Sequence, residues 1–184
     1  MALIGALLLT IVLSTALGGL TMIAAIERRT AAAHAAGLQL RLAAQGALSI
    51  AAAELATADW NGALGGAGSS DWRRPLVPPL DLAALGQGIQ RATLADSSHG
   101  ADTPVWRVFA HMPWAAVSGQ AGPAQTVVWV ADDWADGDGD PSRDANGLVL
   151  LRVMAAAGVA SSWVEALCGR TQDGRVDLKH VRSW

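Results

Sequence analysis

The chain has 184 residues, 52% of them hydrophobic, and a formal net charge of -3 with its arginines scattered, so it carries no basic footprint for nucleic acid. A single cysteine, Cys168, excludes an internal disulfide and reads as a small buried hydrophobe on a strand. Taking residues 1–60 from 184 leaves 124, enough for one modest globular domain.

Residues 2–26 contain no charge. As a helix this run is roughly 37 Å long, enough to cross a hydrocarbon core of about 30 Å with some tilt. A secretory signal would have a basic start and a shorter apolar stretch. Ala31-Ala32-Ala33 offers an A-x-A cleavage site, but the length of the run favours a retained span. Arg28 and Arg29 would place its far end in the cytoplasm by the positive-inside rule, whereas the C-terminal part reads as an extracytoplasmic domain.

The run passes without a turn signal into a proline-free stretch, residues 27–59, rich in Ala, Leu, Gln and Arg. Leu40, Ala44, Ala47, Ala51 and Leu55 form a stripe at helical spacing, so one face is expected to pack, with Arg41, Gln45 and Glu54 off it. Gly37 and Gly46 each weaken the helix by about 1 kcal/mol and are candidate sites of a kink. Asn61-Gly62 and the glycines that follow stop it, and residues 61–80 read as a connecting loop with Pro75, Pro78 and Pro79. Residues 81–90 are a candidate short helix with Asp81 as N-cap and Leu82, Leu85 and Ile89 on one side, opposed by Gly86 and Gly88.

Beyond this the period changes to two. Strands are expected over 104–112, with Val105, Arg107 and Phe109 facing one way and Trp106, Val108 and Ala110 the other, then over 125–131, 147–155, 159–167 and 175–181. Short connections make an antiparallel meander the simplest topology. The expected class is α+β: a long N-terminal helix, transmembrane then amphipathic, packed on a small antiparallel sheet. The division is residues 1–60 for the helix, 61–100 for a linker with a short helix, and 101–184 for the sheet with an acidic loop at 132–147. Trp106, Trp129 and Trp163 read as core or sheet-face packing, and Trp60, Trp72, Trp114 and Trp134, near loops, as partly exposed.

The loop 132–147 holds six aspartates and one arginine. Asp136, Asp138 and Asp140 at i, i+2 and i+4, with Asp144 and Asn146 beyond, are hard oxygen ligands at the alternation of calcium loops, and the intervening glycines allow tight wrapping. An EF-hand is excluded: its position six is Pro141, its position twelve is Gly147, and no helices flank it. Two readings stand, a calcium site of another type and an acidic hairpin loop closed by an Asn146-Gly147 turn; the alternation favours calcium.

No enzyme is legible. His34, His99, His111 and His180 share no metal-ligand spacing, and Asp96-Ser97-Ser98-His99 lacks the setting of a triad. No phosphate loop or small-molecule substrate site is recognisable.

The start, MALIGALLLTIVLSTALGGLTMIAAIERR, followed by LQLRLAAQGALSIAAAELA, resembles the N-terminal helix of PilX-like minor pilins of type IV pili. The DGDGDP-S-R-DANG loop, the LVLLRV strand, the VEA strand and a tryptophan near the C-terminus are similar to these proteins too. The resemblance spans most of the chain except residues 61–100. It implies a single-pass inner-membrane protein with a periplasmic domain that helps initiate or cap a filament, with other pilins and membrane lipid as partners of the N-terminal helix. A secretion pseudopilin is the alternative within the class. A non-assembling, membrane-anchored periplasmic domain that binds calcium or another ligand is the alternative outside it. Prepilins carry a basic leader ending in glycine; with Met1 as the mature first residue it lies upstream, and otherwise the chain is not processed this way. Gly5 stands where major pilins have glutamate, which favours a minor, tip-type subunit.

Overall fold

The structure, a computed structural model, describes residues 2–69, 71–95, 103–119 and 122–184. Among the described residues nine elements run in the order α1 (Ala2–Thr57), α2 (Trp60–Leu64), α3 (Leu82–Ala95), β1 (Arg107–Pro113), α4 (Ala115–Ser118), β2 (Gln125–Asp132), β3 (Leu148–Ala157), β4 (Ala160–Arg170) and β5 (Val176–Ser183). His99 and the Asp96-Ser97-Ser98-His99 stretch lie outside the described residues.

Contacts divide the chain into two compact units, residues 1–38 and residues 39–184. Within the first, every described side chain is exposed. Its apolar stretch meets the length and hydropathy needed to cross a membrane. The threonines there satisfy themselves: Thr10 donates to the Ala6 carbonyl at 2.8 Å, Thr15 to Ile11 at 3.0 Å and Thr21 to Gly18 at 2.8 Å. Such back-bonding removes the cost of placing a hydroxyl in a medium without water.

The second unit is built on a five-stranded antiparallel meander, order β1-β2-β3-β4-β5. The remainder of α1 lies on one face. Leu40, Ala44, Ala47, Ala51 and Leu55 are buried there with Val128, Val130, Leu151, Val153, Val164 and Cys168, as their helical spacing requires. Gly46 produces no break. It is the seat of Trp114, whose ring would lie 2.3 Å from a Cβ at that position. The helix ends at Thr57, where Trp60 folds back and donates its indole N–H to the Leu55 carbonyl at 2.8 Å. Trp60 is therefore buried, contrary to its expected partial exposure, because it caps α1 as the first residue of α2.

The sheet is covered on both faces, where one cover was expected. On the second face α3 buries Ile89 against Val127, Trp129, Leu150 and Met154, and half-buries Leu82 and Leu85. Asp81 caps α3, accepting the Ala84 N–H at 2.9 Å. This double cover makes β2 buried along its whole length. A bulge between Val108 and Ala110 breaks the expected alternation of β1, so Phe109 and Ala110 both join the α1 side while Val108 and Trp106 face α3. The outer edge of β1 is covered by Ser69 and residues 72–74, through Ser69 N–H to Phe109, Arg74 N–H to His111 and a parallel bridge between Arg73 and His111. At the opposite edge β5 is exposed along nearly its whole length.

Candidate functional site

The acidic loop joins β2 to β3, and most of its polar groups are used in holding its own shape. Asp138 accepts the Asp140 N–H at 2.9 Å, Asp140 the Ser142 N–H at 3.0 Å, and Asn146 the Leu148 N–H at 2.8 Å. These i to i+2 bonds are Asx turns, so alternating Asp and Asn residues have a turn role here. Asp144 accepts from Gly147 at 2.7 Å and Leu148 at 3.2 Å, and Asp136 accepts the Ala145 N–H at 2.7 Å across the loop. Asn61 of α2 ties the loop down by accepting the Asp144 N–H at 2.9 Å.

Of the four carboxylates among the five expected ligands, the fold brings together two, Asp136 and Asp138. One carboxylate oxygen each from Asp132, Asp136 and Asp138 lie within 4.8 Å of one another. Of the other expected carboxylates, Asp140 and Asp144 are outside that group. Asp140 is held by the Ser142 hydroxyl and N–H, which lower its pKa, and Asn146 donates to Asp133 at 2.8 Å. Asp132 is the member that periodicity could not supply. It is the last residue of β2, paired with Val149, and only the strand's end brings it beneath Asp136 and Asp138. Burial pushes its pKa up to about 7, and the neighbouring Asp136, Asp133 and Asp144 charges act the same way, against a hydrogen bond from the Asp133 N–H. Three converging carboxylates suit a hard divalent cation, with backbone carbonyls and water completing a calcium shell.

A second polar constellation lies on the α3 side of the sheet. Register places Arg152 of β3, Glu165 of β4 and Arg182 of β5 side by side. Glu165, 4% exposed, is gripped from both sides: Arg152 donates from Nε at 2.7 Å and from Nη2, and Arg182 from Nε at 2.9 Å and from Nη2. Arg152 also stacks on Trp106 at 4.6 Å and lies 5.8 Å from the Trp184 ring centroid. Trp129 and Trp163 stack at 5.9 Å, so aromatic rings continue from the core to the exposed end of the face.

Comparison with protein-family models, curated proteins and solved structures finds no match. His34 is exposed, the His111 ring is held by the Arg74 carbonyl at 2.8 Å, and His180 lies on β5. Cys168 is buried in β4, and burial pushes its thiol up to about 12.

Proposed function

We propose that the chain is a membrane-anchored structural subunit that assembles with like helices, in the manner of the minor pilins it resembles. The observation that carries this reading is the exposed apolar surface of α1. Thirteen large apolar side chains between Leu3 and Ile26 stand in the open. At about 1.5 to 3 kcal/mol for each such side chain removed from water, leaving them wet costs roughly 20 to 40 kcal/mol, more than a small domain's whole stability. Something must cover them. Lipid does so in a bilayer, and equivalent helices do so in a filament, where Thr10, Gly18 and Gly19 permit close approach. Because the same helix continues into the core of the folded domain, anchoring and assembly use one element. The domain then sits outside the inner membrane as the part that meets other subunits.

The test is cysteine cross-linking in the source cell's membranes. Cysteines placed singly at Leu7, Ser14 and Leu17 should give cross-linked pairs with neighbouring subunits; the buried Cys168 contributes no background. If all three gave only monomers in a membrane where the filament machinery is intact, the chain would be an anchored domain that does not assemble.

A second reading concerns the loop alone: Asp132, Asp136 and Asp138 take calcium, which relieves their mutual repulsion. Millimolar calcium should then raise the domain's melting temperature, and Asp138→Asn should abolish the rise. An unchanged melting temperature in the wild type removes the metal from the account.

A further inference from the structure

The cover over the second sheet face is incomplete. It is full over β2, whereas Trp163 and Leu167 of β4 are half-buried and Trp184, which pairs with Trp163 through both backbone N–H groups, is 58% exposed. Between the side of α3 and these indoles runs a cleft of about 550 Å³. That is the size of a small-molecule site. Leu80, Leu85, Ile89 and Ala92 form one wall, and Trp163 and Trp184 the other.

Among the described residues two charged side chains line it, and they differ in sign and place. Asp81 stands at the start of α3. Arg152 stands at the other end, since it also lines the adjoining hollow with Ala92, Thr93 and Trp106. Eleven helical residues from 81 to 92 separate these ends by roughly 16 Å. Glu165 neutralises only one of the two arginines it joins, leaving the Arg152, Glu165 and Arg182 group at +1. Glu165 takes Nε and Nη2 of Arg152, and Nη1 has no hydrogen-bond partner among the described residues. An incoming anion therefore finds a desolvated, aromatic-flanked cation that it can meet without displacing Glu165.

We propose that this cleft binds an elongated apolar or aromatic molecule bearing one carboxylate, the carboxylate on Arg152 and the body between α3 and the indoles of Trp163 and Trp184. The end that reaches Asp81 is neutral or cationic, because a second anion there meets a carboxylate. The proposal stands apart from the assembly reading, since every residue it uses lies in the folded domain.

Para-phenylbenzoate is a suitable probe, with saturation-transfer NMR on the full chain in lipid nanodiscs and empty discs as the blank. Transfer above the blank is expected for the mono-acid, and less for its amide and for the diacid with a carboxylate at the far end. Gly88 lines the cleft, and a Cβ added there meets nothing within 4 Å. Gly88→Leu should thus fill the cleft, leave the melting temperature at or above the wild-type value, and weaken binding by about tenfold or more. Trp184→Ala should weaken it several-fold. No transfer above the blank in the wild type at millimolar probe overturns the proposal. So does undiminished binding in a folded Gly88→Leu variant, or equal binding of acid and diacid.

Discussion

Asp132 shows what one carboxyl does at the end of a buried strand. It is 4% exposed, and burial with three neighbouring aspartates holds its pKa near 7, above the ordinary value of 3.8. The unfolded chain releases this proton near pH 4, whereas the folded chain keeps it until about pH 7. Between these values the folded state binds more protons, so the stability present below pH 4 is lost as pH rises through 7, at roughly 1 kcal/mol per pH unit. Asn keeps the oxygen that accepts the Asp133 N–H and cannot ionise. In EDTA, Asp132→Asn should therefore melt higher than the wild type at pH 8, by an amount that shrinks steadily toward pH 4. Thermal melts across that range check it; a gap that stays constant with pH would mean that Asp132 does not hold its proton in the fold.

At the scale of elements, the ladder from Arg152 through Glu165 to Arg182 ties three strands by their charges. Its members are unequal. The side chains of Arg152 and Glu165 are 15% and 6% exposed, whereas that of Arg182 is 66% exposed. Removing the central acid leaves Arg152 desolvated and unpaired, so Glu165→Ala should cost about 3 kcal/mol or more. Arg182→Ala leaves Glu165 with its other partner and removes a mostly solvated charge, so it should cost about 1 kcal/mol or less. Denaturant midpoints for the two variants decide the order, and equal losses would contradict it. The ladder also marks where sequence reading stops. The stripe from Leu40 to Leu55, the five strands and the Asp81 cap are local patterns, each complete within one element, and they were legible. Glu165 lies 13 residues from Arg152 and 17 from Arg182, and only strand register makes them neighbours. The bulge at Phe109, the burial of Trp60 and the entry of Asp132 into the acidic cluster are likewise products of tertiary placement. The DxDxD alternation was visible, but Asx turning and metal ligation ask for the same residues, and spacing alone cannot separate them.

For the molecule as a whole, the decisive contrast is between a domain that buries its apolar residues and a helical segment that buries none of its described ones. Ala47, Leu55, Val128 and Val153 are each fully enclosed, whereas Leu7, Leu8 and Leu9 are each about 60% exposed. The domain's stability therefore owes nothing to the identity of residue 8, and the segment's affinity for an apolar medium depends on it directly. An arginine at the centre of a membrane helix costs about 2.5 to 3.5 kcal/mol on insertion scales, a factor of roughly a hundred in partitioning. Leu8→Arg should accordingly lower partitioning into the membrane by about that factor and weaken packing against neighbouring helices, while the thermal melt of its folded domain stays at the wild-type value. Fractionation and melting measured on the same preparation separate the two effects. A variant that stayed in the membrane and still cross-linked to its neighbours would show that the apolar surface of α1 is not the assembling element. A variant that lost its domain melt would show instead that the two units are energetically coupled.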